Sequence, residues 1–497
     1  IKANTGIYLA LIVVFGLFFR LAFSFRGVYN WDESTYILMG QSVLEGNLPY
    51  TELWEVKPPL TFYLYGGAIA LFGDSITSIR LLGAIFVIAS AVTIFHICRS
   101  VWNAGIGFIA ALLFIAFTGA LMQGRATMTE HLGILPALLA LLLSLQKPSS
   151  SSQYRHFAIG ILIAGACGIR LNLAYLALAL GIFLLIQGFL KIRENNWSKW
   201  LYHLNDVIFY TTGFISIFFL LSLPYLFTGN FSLLWNSAIM APLDYSSSGS
   251  PPFSVFAFSV FDQQITDIWG ILVIIALIQL GFALRSQDSF YQYQLVVGIL
   301  FFGAIEWSIL SSGRGFNHYN LQIAPFLAIS VAHLFKQMFS LNRIITYSFL
   351  IAALITISLP SISEYRLLQS RMSAGEGIYY GTEYTLANFF QSEKPSSLYL
   401  TSHHLAYWLL DLKPPTKVVT HPSNLTKEYL LRNIRDANHT PKAELNKIFA
   451  TQPEYVVKPD NLWYLDVDMT NLLQEKLNTD YEKVETIDGL TIYHLLS

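Results

Sequence analysis

Charge is scarce in this chain. Only 12% of its 497 residues are Asp, Glu, Lys or Arg, against about 25% in a typical soluble domain. With 54% hydrophobic residues and a mean hydropathy of +0.50, this excludes a soluble globule and points to an integral membrane protein. Cysteine is scarcer still. Cys98 and Cys167, the only two, both lie in apolar stretches. A disulfide scaffold is excluded, and both read as small packing residues. No His, Cys and Asp set occurs at metal-ligand spacing, so no metal and no cofactor is expected, while dependence on a divalent metal stays open. Internal repeats are absent, and the only low-complexity tract is the short Ser149–Ser152 run. A small-residue A-x-A cleavage site is also missing after residues 6–25, which therefore read as a retained helix. The net charge of −1 says little about partners. Aromatic residues are plentiful at 15%, which suits membrane-interface belts and sugar stacking alike.

A membrane span needs about 20 mostly apolar residues. The candidates are 6–25, 79–97, 103–121, 131–146, 156–169, 171–189, 206–226, 268–284, 292–311, 319–336 and 343–360. The fold expected is a polytopic α-helical membrane protein of about 11 spans, or 12 to 13 if short apolar segments also cross. Leu60–Phe72 is such a segment. It reads as a short re-entrant or surface helix that starts at Pro58-Pro59. Placing the N-terminus inside gives every inner loop a basic residue: Arg99, Lys147 with Arg155, Lys191 with Arg193 and Lys199, Arg285, and Lys336 with Arg343. The outer side then receives the loop 27–78, the turns at 122–130, Arg170 and 312–318, the loop 227–267, and the C-terminus.

Two domains are expected, a transmembrane domain over 1–360 and an outer α/β domain over 361–497. In the tail, Ser397–Thr401, Lys417–Thr420, Glu454–Lys458 and Thr491–His494 read as strands, and Lys427–Asp436 and Lys442–Ala450 as helices. Within the first outer loop the spacing of Tyr36, Ile37, Gly40, Val43 and Leu44 predicts a helix over Ser34–Glu45, capped by Ser34 and ended by Gly46. It would lie in the interface with its apolar side down. Asp32 and Glu33 would sit at its start, where helix N–H groups favour negative charge.

Charge inside a span is costly, so charges gathered near one end of the helices carry information. The outer set includes Asp32, Glu33, Lys57, Arg80, Arg125, Glu130, Arg170, Arg314 and His318, with Asn172 and Tyr319 beside two of them. The cations suit a phosphate or pyrophosphate ester whose lipid tail lies in the bilayer. An acid suits removal of the proton from an attacking sugar hydroxyl, and fixed cations suit the charge that grows on a leaving phosphate. Each residue also has a plain structural reading. Arg170 can cap helix carbonyls, Lys57 can snorkel, Arg314 and His318 can belong to a solvated loop, and Asp32, Glu33 and Glu130 can serve helix starts. Whether Asp32 or Glu33 is the base stays open.

The segments NWDEST and KPPL, RATMTEH, and GRGFNHYNLQIAPF resemble the GT-C glycosyltransferases, in particular bacterial relatives of the protein O-mannosyltransferases and of the aminoarabinose transferase that acts on lipid A. The likeness covers about residues 6–360; YWLLDLKPPTKVV is similar to the tails of such proteins. The resemblance implies a donor sugar on polyprenyl phosphate and transfer, with inversion, to a glycan, lipid or protein acceptor. The reaction would take place at the outer face of the plasma (inner) membrane, with membrane lipids and no nucleic acid as partners. By it Asp32 matches the base and Lys57 the phosphate contact, with Arg170, Arg314 and His318 in the corresponding turns. A transporter or flippase of a lipid-linked sugar is the competing class. Transporters show paired repeats and midplane charges, and this sequence shows neither.

Overall fold

The computed structural model describes residues 5–146, 152–193, 197–261, 277, 281, 288–436 and 438–496. Helices predominate. Among the described residues six are long and apolar enough to cross a membrane: Ile76–Val101, Leu171–Leu190, Leu204–Phe227, Ser289–Leu310, Ala324–Leu341 and Arg343–Ser373. Shorter apolar helices cover Thr5–Leu21, Pro59–Phe72, Ala104–Ala120 and Thr129–Ser144, and a further helix covers Ser152–Ile169. The span expected at 268–284 lies outside the described residues, apart from 277 and 281. The segment expected over 319–336 starts as a 3-10 turn, Asn317–Gln322, and becomes an α-helix only at Ala324. The last long helix runs through Pro360 to Ser373 without a break.

The chain forms two compact units, each assembled from separate stretches. The first unit comprises 1–22, 83–223 and 246–365, and holds most of the long helices. Its internal close approaches need glycine at Gly249 and Gly313: a Cβ added to Gly249 would sit 2.5 Å from the Gly313 Cα, and Gly313 has φ +67°.

The second unit comprises 23–82, 224–245 and 366–497, so the first loop and the C-terminal segment pack as one body. Its first helix is Trp31–Leu44. This differs from the expectation in two ways. Asn30, not Ser34, is the cap, and its side chain accepts the Asp32 N–H at 2.9 Å. Ser34 lies inside the first turn and donates back to the Trp31 carbonyl. The helix is also buried over nearly its whole circumference, from Glu33 to Gly40, instead of on one apolar side. Gly40 makes this possible, because a Cβ there would meet the Gly66 nitrogen of helix Pro59–Phe72 at 2.7 Å. Pro58 and Pro59 start that second helix as expected.

The C-terminal segment carries a four-stranded sheet: β1 Leu398–Leu400, β2 Tyr455–Pro459, β3 Tyr481–Ile487 and β4 Leu490–Leu495. The order is β1-β2-β4-β3, with β1 and β2 parallel and the other pairs antiparallel. β3 and β4 form a hairpin through Asp488 (φ +50°) and Gly489 (φ +78°), the backbone an Asp-Gly turn favours. Helices Pro441–Ala450 and Val467–Asp480 pack Leu445, Ile448, Phe449, Met469, Leu473 and Leu477 into one core with Tyr399 and Val456. The strand expected over Lys417–Thr420 is absent: these residues form a turn. Their carbonyls are taken instead by Trp54 N–H on Lys417 at 3.0 Å and by Thr35 Oγ1 on Thr420 at 2.8 Å.

Candidate active site

The sequence-predicted residues fall into two clusters, one in each unit. In the second unit Asp32 and Glu33 occupy the first turn of helix Trp31–Leu44 and point to different surroundings. Glu33 is fully buried and paired with Arg80 at 2.8 Å. Arg80 also donates to the Gly27 carbonyl at 3.1 Å and lies over the Tyr29 ring. A buried ion pair so braced is closed to a substrate, because breaking it would strand a charge. Asp32 keeps a side chain 21% exposed. The Tyr36 hydroxyl donates to its Oδ2 at 3.1 Å, and His421 Nε2 reaches its Oδ1 at 3.2 Å. The Ser423 N–H donates to His421 Nδ1 at 3.2 Å, which leaves Nε2 as the donor to Asp32. Asp32 therefore has the geometry of an oriented base open to solvent.

Lys57 lies in the same unit, half-buried, directly before Pro58. The Tyr50 hydroxyl donates to its carbonyl at 2.6 Å, and Tyr50 itself sits at φ +75°, a strained setting for a bulky residue. Burial, then the neighbouring Tyr225, Glu55 and Tyr63, holds the Tyr50 phenol well above its ordinary value, so it stays a donor. The Lys57 ammonium has no hydrogen-bond or ion-pair partner among the described residues. A fixed, half-buried and uncompensated cation suits an anionic ligand group.

In the first unit Arg170 and Glu130 form a buried ion pair, with Arg170 Nη1 donating to Glu130 Oε1 and, at 2.8 Å, to Thr129 Oγ1. Arg170 Nε donates to Asn172 Oδ1 at 3.2 Å, and its guanidinium lies 4.9 Å from the centroid of Tyr319. Asn172 donates on to Ser308 at 2.9 Å and Gln322 at 3.1 Å. His318 Nε2 stands 3.8 Å from Glu130 Oε1, its ring stacked on Phe316. Glu130, Arg170, Asn172, His318 and Tyr319 are thus one polar cluster. Elsewhere in this unit Arg314 donates to Ser248 Oγ at 2.7 Å, and Arg125 Nε to the Gly119 carbonyl at 3.3 Å. No group of three or more His, Cys, Asp or Glu side chains able to hold a metal ion occurs among the described residues.

Residues 56–217 match the family model described as dolichyl-phosphate-mannose-protein mannosyltransferase. The matched stretch takes in Lys57, Arg125, Glu130, Arg170 and Asn172 and stops short of Asp32 and of the turn holding Arg314 and His318. The crystal structure of ArnT from Cupriavidus metallidurans bound to undecaprenyl phosphate is similar across 100% of this chain and 99% of that one, with a TM-score of 0.62 at 12% identity. The chain shares the fold of that structure. The fold is shared as well with the Archaeoglobus fulgidus oligosaccharyltransferase, at a TM-score of 0.50 and 13% identity, over 92% of this chain and 69% of that one. In sequence the chain is 30% identical over 122 residues to the undecaprenyl phosphate-alpha-4-amino-4-deoxy-L-arabinose arabinosyl transferase 2 of Pseudomonas fluorescens, a match that spans 23% of this chain and 21% of the relative.

Two features of the site escaped the sequence reading. His421 lies far along the chain from Asp32, in a segment without a catalytic motif. Arg80 was counted among the outer charges but not joined to Glu33; its place near the start of helix Ile76–Val101 gave no hint of its partner.

Proposed function

We propose that this protein is an inverting glycosyltransferase. It moves a sugar from a polyprenyl-phosphate donor to a glycan, lipid or protein acceptor at the outer face of the plasma (inner) membrane, and the C-terminal segment lies on that side. The observation that carries the reading is Asp32, a partly exposed carboxylate fixed by Tyr36 and His421, in one compact unit with the uncompensated Lys57.

In the reaction Asp32 takes the proton of the acceptor hydroxyl as its oxygen attacks the anomeric carbon. The bond from that carbon to the phosphate oxygen breaks, and the electron pair leaves with polyprenyl phosphate. Lys57 meets the charge that grows on the departing phosphate. A single displacement inverts the anomeric centre. Glu33 holds Arg80 and the helix start, so Asp32 is the base of the two. Arg170, whose charge Glu130 already balances, holds its turn in place. The family match, the curated relatives and the GT-C fold all support a lipid-linked sugar donor.

The test is transfer from a radiolabelled undecaprenyl-phosphate sugar to an envelope extract by the purified protein in nanodiscs. Label should move with wild type and fail to move with Asp32→Asn. Equal transfer by both removes the base from the mechanism.

A further inference from the structure

Trp31 directly precedes Asp32, and its ring is stacked on Trp463, with centroids 5.3 Å apart and planes at 17°. Tyr464 meets Trp31 edge-on at 5.3 Å, and His421, the partner of Asp32, meets it at 5.9 Å. Tyr464 is tied down: its hydroxyl donates to the Thr401 carbonyl at 2.5 Å, and burial pushes its phenol up, so it stays a donor. Trp463 is 72% exposed. Neither indole N–H has a hydrogen-bond partner among the described residues.

We propose that Trp463 and Trp31 form a platform for a sugar ring of the acceptor, which makes the acceptor of Asp32 a glycan. This rests on the glycosyltransferase reading and narrows it. A pyranose presents C–H groups to an aromatic face and hydroxyls to donors at its edge. Two stacked indoles, one of them open on its outer side, with two unclaimed N–H groups, offer both. The link through Trp31 and His421 to Asp32 sets the platform beside the base, so a ring held there would present a hydroxyl to the carboxylate. A membrane-interface anchor is the other common use of exposed tryptophan. The surroundings oppose it. Residues 459–475 carry Asp460, Asp466, Asp468 and Glu475 and no Lys or Arg, and Asp460, Asp466 and Asp468 are exposed. Anionic headgroups repel such a surface, whereas they attract basic segments.

The experiment applies full-length protein in nanodiscs to an array of hexose, pentose and aminosugar oligosaccharides, followed by titration of the best-retained member. Wild type should retain at least one oligosaccharide. Trp463→Ala should weaken its binding by roughly tenfold, the scale of one lost aromatic contact, and Trp463→Phe should restore most of it. An unchanged thermal midpoint in both variants shows that the surface residue was not holding the fold. Retention of no oligosaccharide by wild type, or equal binding by Trp463→Ala, overturns the proposal. So does quenching, by lipids brominated along the acyl chain, of the fluorescence that Trp463→Phe removes, because that places the ring in the bilayer. Asp32→Asn separates this proposal from the base assignment. It should bind the oligosaccharide as wild type does while transfer is lost. Full transfer by Asp32→Asn together with lost binding by Trp463→Ala would sink the base and leave the platform standing.

Discussion

The turn that carries Arg170 and the loop that carries Lys57 each set one cation among apolar residues, and the fold treats the two in opposite ways. Arg170 is buried and fully engaged, with Glu130 and Thr129 on one nitrogen and Asn172 on another. Lys57 is half-buried, held by its backbone through Tyr50, and its ammonium is left open. The same contrast recurs between neighbours in the chain, Glu33 closed on Arg80 and Asp32 open beside His421. Charges that hold a fold are compensated within it, because a buried charge without a partner is expensive. The roles proposed above fall on the two that the fold leaves nearer to solvent, Asp32 and Lys57.

The largest effect should come from the open acid. Asp32→Asn should reduce turnover by about 10²–10⁴-fold, the range for loss of a general base. Donor affinity should be kept or slightly raised, since a negative charge has gone, and the thermal midpoint should not move. Glu33→Gln should do the reverse, lowering the midpoint by removing the charge that balances Arg80. Wild-type turnover in Asp32→Asn would erase the distinction drawn between the two acids.

The closed pair should answer in stability. Arg170→Met leaves the Glu130 carboxylate buried without its partner, which costs about 3–5 kcal/mol. The double variant Glu130→Gln with Arg170→Met should recover much of this, because a buried pair replaced by neutral groups is often tolerated. Unfolding in detergent, followed by size-exclusion after heating, reads both. An Arg170→Met protein as stable as wild type would mean that the pair is not structural.

Which charges were open and which closed could not be read from the chain. The helices could, because an apolar run of spanning length has few other uses, and the Pro58-Pro59 start announced itself in the same way. Asn30 was passed over as a cap because the apolar spacing was counted from Ser34, although Asn is as good a cap as Ser. β3 was missed because its sequence, YEKVETI, is largely exposed and polar. The Asp488-Gly489 pair between it and β4 was the available signal. Lys417–Thr420 looked like a strand for its two valines, yet its backbone bonds go to Trp54 and Thr35, residues of the first loop. That packing of the tail with the first loop also brings His421 to Asp32, and pairing at such separation leaves no trace in local pattern.

The next test concerns the open cation. Lys57→Ala should weaken donor binding by about 1.5–3 kcal/mol, the worth of a hydrogen bond to a charged group, with little change in stability because no partner is left behind. Titration with undecaprenyl phosphate measures it. Lys57→Arg should retain part of the binding, since charge is kept while the compact ammonium is not. Unchanged affinity in Lys57→Ala would place the phosphate elsewhere, with Arg314 and His318 the next residues to vary.

The smallest effect should come from His421, which touches Asp32, the base in the proposed reaction, and no reacting atom. It is a positioning residue, and its loss should lower turnover less than loss of Asp32 does. His421→Gln keeps a donor within reach of Asp32, whereas His421→Ala removes it. A carboxylate that loses a donor to its charged form binds a proton more readily. The acid limb of the rate profile should therefore move to higher pH in His421→Ala and stay nearer its original place in His421→Gln, with donor affinity equal in both. A merely structural histidine would lower the rate at every pH by one factor and leave the limb where it was. That outcome would reduce Asp32 to an acid placed by its helix alone, and the contrast between open and closed charges would lose its link to the C-terminal segment.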